Sequence, residues 1–204
     1  IDSDDYMPND AVEKILNFWD KYGSDNIAGI AALDAYENGQ VIGDKFPETL
    51  KTSTLFDIHY KHKLKGDKKL IYRSELTREY PYPIFEGEKY VSLSYKYTMI
   101  DRKYELALMN EVVCIVEYME DGSSMNMLKQ YRRNPKGFAF LRIHNLNNPK
   151  AKPLFKFKEC IHYVSSNLIS KNKNFIKESP SKINTILAIP LGFVLYKYIM
   201  KKTS

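Results

Sequence analysis

The spacing of apolar residues predicts an amphipathic helix close to the start of the chain. Asp10 and Glu13 stand three residues apart, the spacing of a capping box at a helix N-terminus, and Gly23 ends the pattern. The residues that fall on one face of this helix, and that we expect in the core, are Val12, Ile15, Leu16 and Trp19. The acidic residues that open the chain therefore lie immediately before a helix.

The following residues alternate between patterns typical of strands and of short helices. Residues 27–36 are apolar enough for a buried strand, and Asn38-Gly39 before Val41 and Ile42 is a strong signal for a hairpin turn. Further strands are predicted at residues 70–73, 104–109 and 112–118, and further helices at residues 52–63 and 89–100. This order predicts an α/β fold, in which a mixed sheet is flanked by helices and binds ligands at the carboxyl ends of its strands.

The C-terminal part of the chain has a different pattern, helical and rich in lysine. Beyond Met125 the chain is predicted to be helical, with one helix around residues 160–169. Residues 183–196 are fourteen residues without a charge, a run too short for an ordinary transmembrane span. We therefore divide the chain into an α/β domain at residues 1–149 and a lysine-rich helical extension at residues 150–204.

Charge is distributed unevenly between these two parts. The 204 residues carry a net charge of +6, but residues 150–204 hold eleven lysines against Glu159 and Glu178, which gives +9 there and −3 elsewhere. A basic tail beside an acidic body argues against a protein built for nucleic acid and favours a local contact with an anionic surface. Cys114 and Cys160 belong to no metal-binding or disulfide pattern, so we expect a reducing compartment.

Three carboxylates within four residues, Asp2, Asp4 and Asp5, are the first candidates for chemistry. Carboxylate oxygens are ligands that Mg²⁺ and Mn²⁺ prefer, and substrate phosphates commonly complete the coordination of such ions. An ion held there would act as a Lewis acid toward a departing diphosphate. The alternative is that these residues are surface charges near a helix N-terminus, where negative charge is favourable.

Four segments in a fixed order are the most specific signal in the chain: residues 1–8 (IDSDDYMP), 66–73 (GDKKLIYR), 81–91 (PYPIFEGEKYV) and 117–124 (EYMEDGSS). Together they resemble family 2 glycosyltransferases of the GT-A type, in particular bacterial members that build surface polysaccharides such as capsules. The first segment resembles the DxD segment of that family, the second and third resemble acceptor-side segments, and the fourth resembles the strand and turn that follow. The resemblance covers residues 1–149. It begins at the DxD motif, so the nucleotide-binding segment that normally precedes this motif is expected to belong to a longer protein.

The resemblance implies a GT-A fold and an enzyme that moves a sugar from a nucleotide-sugar donor to a surface glycan or lipid-linked glycan, with inversion and with Mg²⁺ or Mn²⁺. It makes Asp2 and Asp4 the DxD carboxylates, with Asp5 adjacent. It also makes Glu88 the base that accepts the proton of the acceptor hydroxyl. Activity is expected of the intact protein, and this part alone is expected to be inactive.

The position of the base departs from the family pattern. The family commonly has Glu-Asp where this sequence has Glu88-Lys89, and Glu86 is the nearest substitute. Glu88 is also placed to cap a helix that begins near Lys89. Arg73 and Arg132 are further candidates for contacts to phosphate or acceptor hydroxyls, because arginine forms forked hydrogen bonds, although such residues are usually surface charges.

The basic tail indicates where the protein acts. A short apolar helix that ends in lysines, after a lysine-rich connector, has the makeup of an interfacial membrane anchor. We therefore expect a cytoplasmic protein that is peripheral on the inner face of the cell membrane. The alternative is that five apolar residues pack back on the catalytic domain, namely Ile186, Leu187, Leu191, Val194 and Leu195.

Two other functions compete with glycosyl transfer. A non-catalytic membrane-surface scaffold that retains the fold would account for Lys89 and for the absent front segment. Nucleic-acid binding is suggested by a pI of about 9.0 and by 13% aromatic residues. Because the body is acidic and no nucleic-acid-binding motif is present, we expect no nucleic-acid partner.

Overall fold

The computed structural model describes residues 1, 3–117 and 126–204 and shows an α/β protein. Its contacts divide the chain into two compact units: the first comprises Ile1–Pro81 and Met99–Met119, the second Tyr82–Thr98 and Glu120–Ser204. The domain boundary at residue 149 stays a prediction, and residues 150–204 belong to the second unit together with residues 82–98. Asp2 and most of the segment 117–124 lie outside the described residues.

A four-stranded mixed sheet organises the first unit. Its strands are β1 (Ile27–Ala35), β2 (Thr52–Ser53), β3 (Lys68–Tyr72) and β4 (Glu105–Ile115), in the order β2-β4-β1-β3. β1 is parallel to β4 and antiparallel to β3, and β2 is antiparallel to β4. The prediction of an α/β fold with a mixed sheet is therefore confirmed. Because β1 and β4 are parallel, their carboxyl ends lie side by side at one edge of the sheet.

β1 is buried at all nine positions because it has a strand on each side and apolar clusters on both faces. Helix α1 (Ala11–Tyr22) covers one face, where the buried cluster consists of Ala11, Ile30, Ala32, Met109 and Val113. The other face is covered by α2 (Leu55–Tyr60) and α3 (Ser74–Arg78), which contribute Ile58 and Leu76. At Gly29 a Cβ would lie 1.9 Å from the carbonyl oxygen of Ile71, so the absence of a side chain lets β3 approach.

The buried face of α1 differs from the predicted one. The residues that pack against the sheet are Ala11, Ile15, Phe18 and Trp19. Ile15 and Trp19 of the predicted face are therefore confirmed, whereas Val12 and Leu16 are exposed and Ala11 and Phe18 pack against the sheet in their place. Asp10 is the N-cap residue but makes no capping hydrogen bond, since its carboxylate pairs with Lys14 at 2.9 Å. The predicted capping box is therefore wrong.

Other predicted elements also differ from the observed ones. The turn at Asn38-Gly39 is confirmed, but it is followed only by a single bridge between Ala35 and Val41, because β3 and β4 already flank β1. The two strands predicted at residues 104–109 and 112–118 are replaced by one strand, β4, over residues 105–115. The helix predicted at residues 89–100 begins at Ser94, as α4 (Ser94–Ile100).

The described residues of the second unit form helices and loops. After α4 these helices are α5 (Met127–Arg133), α6 (Pro135–Leu146), α7 (Pro153–Ile169), α8 (Phe175–Glu178) and α9 (Lys182–Lys202). Their apolar core contains Leu146, Cys160, Val164 and Ala188. The buried carboxylate of Glu159 on α7 accepts hydrogen bonds from Arg142 at 3.1 Å and from Asn145 at 2.8 Å, which fixes α7 against α6.

The C-terminal apolar run belongs to a longer helix than the sequence pattern indicates. By length and composition, α9 is the one helix among the described residues that is long and apolar enough to cross a bilayer. Of the five residues considered for packing back on the protein, four are exposed, and Leu195 alone is half-buried. Packing through these residues is therefore wrong, because α9 turns its small residues inward instead.

Candidate functional site

The start of the chain is fixed at the edge of the sheet where β1 and β4 end. Tyr6 and Ile115 form an antiparallel bridge, in which Tyr6 N donates to Ile115 O at 3.1 Å and Ile115 N donates to Tyr6 O at 2.8 Å. Ile115 is the last residue of β4. The bridge therefore places Asp5, one residue before Tyr6, at the carboxyl edge of the parallel pair. This is the edge at which open α/β sheets bind ligands.

Four polar side chains meet at this edge. Lys69 Nζ lies 3.3 Å from Asp5 Oδ2 and 3.8 Å from Asp34 Oδ1. The Cys114 thiol donates to the same Asp5 oxygen at 3.9 Å, and Cys114 is the register partner of Asp34 on the neighbouring strand. We call Asp5, Asp34, Lys69 and Cys114 the edge cluster. Asp34 comes from the end of β1, Cys114 from the end of β4, Lys69 from β3 and Asp5 from the start of the chain.

Burial dominates the electrostatics of the edge cluster. Asp34 is 3% exposed, and burial raises its pKa to about 6, against the attraction of Lys69 and with added repulsion from Asp5. Its Oδ1 has no hydrogen-bond partner within the described part of the chain. Burial acts to lower the pKa of Lys69, but Asp34, Cys114 and Asp5 together outweigh it and leave that pKa raised. Lys69 therefore stays charged and offsets the buried negative charge.

A second lysine supports the loop before β3. Lys68 is buried, and its Nζ donates to the carbonyl oxygens of Lys65, Gly66 and Asp67 at 2.9, 3.2 and 3.3 Å. Burial lowers the pKa of this ammonium group, while nearby carboxylates, Asp44 foremost, oppose the effect. The contacts hold the turn from which β3 starts, and so they help to place Lys69 in the edge cluster.

The other predicted residues of the first unit lie elsewhere. Asp4 is exposed, next to the edge cluster in sequence but outside its contacts. Arg73 donates to Glu75 at 2.8 Å and to backbone carbonyls that include Ile27 O at 3.3 Å. Since Ile27 begins β1 and a strand rises about 3.3 Å per residue, Arg73 lies roughly 20 Å along the strand from Asp34. The structure therefore does not bring Arg73 together with the opening aspartates.

In the second unit, Glu88 holds the N-terminus of α6. Its Oε1 accepts from Lys136 N at 2.7 Å and its Oε2 accepts from Gly137 N at 2.8 Å. The N-cap residue Asn134 reciprocates, because its Oδ1 accepts from Lys89 N at 2.9 Å and from Tyr90 N at 3.1 Å. Glu88 thus caps a helix, as the structural alternative proposed, but the helix is α6 and not one that begins at Lys89. The same contacts keep Lys89 and Tyr90 out of α4.

The two weaker candidates of the second unit have different surroundings. Glu86 is exposed, and its carbonyl oxygen accepts from Lys136 Nζ at 3.3 Å. The Arg132 guanidinium donates to the backbone carbonyl and the hydroxyl oxygen of Thr203, at the C-terminal cap of α9. Arg132 therefore holds α5 against the end of α9, whereas the side chain of Glu86 faces solvent.

The acidic residues suit a divalent cation only together with a substrate. Among the described residues, no three His, Cys, Asp or Glu side chains form a group that could hold a metal ion. The oxygen donors of Asp4 and Asp5 are of the type that Mg²⁺ and Mn²⁺ prefer, and Mg²⁺ is commonly held by one or two carboxylates plus substrate phosphates. The remaining predicted ligand, Asp2, lies outside the described residues.

Sequence patterns alone miss most of the edge cluster. Asp34 carries the one charge in the apolar strand β1, and an isolated carboxylate in such a strand is the signal that could have pointed to it. Lys69 and Cys114 give no comparable signal, because their proximity to Asp5 depends on the pairing of β3 and β4 with β1.

Comparison with known proteins gives no match to any family model, curated protein or solved structure.

Proposed function

We propose that this chain is part of the catalytic domain of a family 2 glycosyltransferase of the GT-A type. It would transfer a sugar from a nucleotide-sugar donor to a cell-surface or lipid-linked glycan, with inversion and with Mg²⁺ or Mn²⁺. The observation that carries the proposal is the bridge between Tyr6 and Ile115, because it puts Asp5 at the carboxyl edge of two parallel strands. Ligands of α/β sheets bind at this edge.

The edge cluster prepares the donor side of this reaction. Lys69 binds Asp5 and Asp34, so the buried carboxylates are held in place and partly neutralised, while Asp4 stays exposed toward solvent. A bound Mg²⁺ or Mn²⁺ supplies Lewis-acid stabilisation of the leaving diphosphate. We assign Asp4 and Asp5 as its protein ligands, together with Asp2, and Lys69 as the residue that positions Asp5.

The acceptor side requires a base, for which Glu88 is the first candidate and Glu86 the second. A sugar hydroxyl attacks poorly unless its proton is removed as the new bond forms. Each carboxylate oxygen can accept about two hydrogen bonds, so the two helix N–H groups bound by Glu88 leave acceptor capacity for a hydroxyl. The cap also fixes the direction of the carboxylate, which is what a base in a confined site needs.

One observation favours the alternative of a non-catalytic membrane-surface scaffold. Both oxygens of Glu88 are engaged in capping α6, which is sufficient to explain why a glutamate stands at this position. A protein that retains the fold without the activity would keep such a cap.

A donor screen on the intact protein tests the proposal. With Mn²⁺ present, we expect one nucleotide sugar to release nucleoside diphosphate. Asp4→Asn should lower this release at least about 100-fold, because loss of metal binding removes several kcal/mol of transition-state stabilisation. Asp20→Asn, an exposed aspartate on α1, is the matched control and should leave the rate unchanged.

The same assay separates the base from the helix cap. Glu88→Gln should lower turnover at temperatures where circular dichroism shows the variant to be folded, while Glu86→Gln should not. Loss of activity with Glu86→Gln alone would move the base to Glu86. Absence of donor cleavage across the whole screen, with folded protein and Mn²⁺, would support the scaffold.

A further inference from the structure

Helix α9 has one face that packs inside the second unit. The residues of α9 that are buried are Thr185, Ala188, Gly192 and Ile199. These side chains are mostly small and let α9 lie close to α7. At Gly192 a Cβ would stand 2.5 Å from the Cγ1 atom of Val164, so even an alanine there would collide with α7. The orientation of α9 about its own axis is therefore fixed.

The other face of α9 is apolar and exposed along most of its length. Seven large hydrophobic residues of α9 are each at least 48% exposed: Ile183, Ile186, Leu187, Leu191, Phe193, Val194 and Tyr198. Large apolar side chains concentrated on one helix face usually mark an interaction surface. We call these seven residues the apolar strip.

Lysines stand at both ends of the apolar strip. Lys182 precedes it, and Lys197, Lys201 and Lys202 lie in its last turns, all exposed. Lys197 Nζ lies 5.4 Å from the ring centroid of Phe193, so its aliphatic stem follows the apolar side chains while its charge stays at the surface. Residues 182–204 contain no acidic residue, and residues 150–204 as a whole carry +9.

We propose that the apolar strip and its flanking lysines dock α9 on the surface of an anionic lipid bilayer, with the helix axis in the plane of the interface. Apolar side chains would enter the acyl boundary, and the ammonium groups would bind lipid phosphates. A bilayer fits better than a protein groove because the strip is bordered by one sign of charge at both ends. This docking goes beyond glycosyl transfer and does not depend on it.

The contact with α7 explains why α9 lies on the bilayer instead of crossing it. α7 packs against the small residues of α9 and carries Lys156, Lys158 and Glu159. If α9 spanned the bilayer, α7 would have to leave it or take these charges into the hydrocarbon, which costs several kcal/mol. Docking through the exposed strip keeps the contact between the two helices.

Cosedimentation with vesicles tests the docking. The intact protein should bind vesicles of phosphatidylcholine with about a third phosphatidylglycerol at least ~10-fold more tightly than pure phosphatidylcholine, and about 0.5 M NaCl should release it. Leu187→Gln with Val194→Gln should weaken binding at least ~10-fold, because both side chains lose their transfer into the apolar phase. These residues are 62% and 64% exposed, so the variant should fold, as checked by circular dichroism.

Matched variants distinguish the docking face from general stickiness and general charge. Ile84→Gln, at another exposed apolar residue, should bind like the wild type. Lys197→Gln with Lys201→Gln should weaken binding about 25-fold, at roughly fivefold per lysine, whereas Lys45→Gln with Lys51→Gln should have little effect.

Several outcomes would overturn the proposal. Equal binding to neutral and anionic vesicles would show that the lysines play no role. Unchanged binding of the Leu187 and Val194 variant would show that the apolar strip plays no role. Resistance to salt extraction would indicate insertion across the bilayer. If the wild-type protein is a dimer in sedimentation velocity, the variant is a monomer and neither binds vesicles, the apolar strip is a contact with a second copy of the chain. The vesicles contain no sugar, so none of these results depends on enzymatic activity.

Discussion

Asp34 is the residue of the edge cluster with the most unusual setting. It is a carboxyl group at the end of a fully buried strand, with one oxygen that lacks a hydrogen-bond partner within the described residues and with Lys69 as its nearest cation. Burial outweighs that cation, so the folded protein holds the proton of Asp34 more tightly than the unfolded chain does. Ionised Asp34 therefore destabilises the fold.

The sign of this effect gives a prediction for Asp34→Asn. Because the pKa of Asp34 is about 6 in the folded protein, against an ordinary value of 3.8 for the unfolded chain, wild-type stability is highest below pH 3.8 with respect to this group and is lost as the pH rises through 6. Asparagine does not titrate. The unfolding free energy of Asp34→Asn relative to wild type should therefore rise by roughly 1–2 kcal/mol between about pH 4 and pH 7.

Fluorescence of Trp19 can measure this difference, since it is the single tryptophan of the chain and packs against the sheet of the same unit. Denaturant unfolding would be followed at several pH values for both proteins. Asp25→Asn, at an exposed aspartate, is the control and should show no comparable rise. A difference that is independent of pH would mean that Asp34 is ionised in the folded protein as easily as in the unfolded one.

At this scale the sequence predicted part of the candidate site. The three closely spaced carboxylates are a candidate from the sequence, the resemblance gives them the role of metal ligands, and the structure places Asp5 at the carboxyl edge of parallel strands. Lys69 and Cys114 could not be identified, because each reaches Asp5 only after strands distant in sequence have paired. Lys69 is 64 positions from Asp5 in the sequence and Cys114 is 109 positions from it, and contacts over such separations leave no trace in a local sequence pattern.

Among the helices, α6 depends on a residue outside its own segment. Glu88 binds the N–H groups of Lys136 and Gly137, and a helix N-terminus has no intrahelical partner for these groups. We expect Glu88→Ala to lower the unfolding free energy by about 1–2 kcal/mol, because it removes two hydrogen bonds to a charged acceptor. Glu86→Ala, at an exposed side chain, should change it by less than about 0.5 kcal/mol.

Thermal or denaturant unfolding followed by far-UV circular dichroism would measure both variants, since the helices α5–α9 belong to the same unit as the cap. Equal effects of the two substitutions would contradict the cap. If Glu88→Ala lowers stability strongly but its folded fraction cleaves the donor at a normal rate, Glu88 is a helix cap and not the catalytic base.

Other differences between predicted and observed elements also have causes outside the local sequence. The strands predicted at residues 104–109 and 112–118 leave a gap at the polar pair Asn110-Glu111, but β4 continues through it. Asn110 can stand there because its side chain accepts from Phe46 N and donates to Phe46 O, both at 2.8 Å. A side chain that satisfies a distant backbone replaces the turn that a polar pair usually indicates.

For the molecule as a whole, the fold class could be predicted but the division into units could not. The alternation of strand and helix patterns indicates an α/β protein, and the mixed sheet confirms it. Residues 82–98, however, lie between two segments of the first unit in sequence but belong to the second unit, together with the helices α5–α9. Asn134 and Glu88 make this connection through side-chain hydrogen bonds, which no periodicity of apolar residues reveals.

Two titrating groups, the buried Asp34 of the first unit and the half-buried His162 of the second, make opposite contributions to the pH dependence of stability. In the second unit, burial and then the charge of Arg142 lower the pKa of His162 to about 4. His162 is therefore neutral in the folded state at pH values where the unfolded chain, with a pKa of 6.5, takes up a proton. Stability with respect to His162 is present above pH 6.5 and is lost as the pH falls toward 4, the reverse of Asp34.

If the two units unfold in a single transition, the two effects partly cancel in the wild type and become visible when one group is removed. The Asp34→Asn variant keeps His162, so its unfolding free energy should rise by roughly 1–2 kcal/mol between about pH 4 and pH 6.5. The His162→Gln variant keeps Asp34, so its unfolding free energy should fall by roughly 1–2 kcal/mol over the same pH range. Trp19 fluorescence reports on the first unit and far-UV circular dichroism mainly on the helices of the second. Slopes of the same sign in both variants would show that other groups control the pH dependence of the molecule.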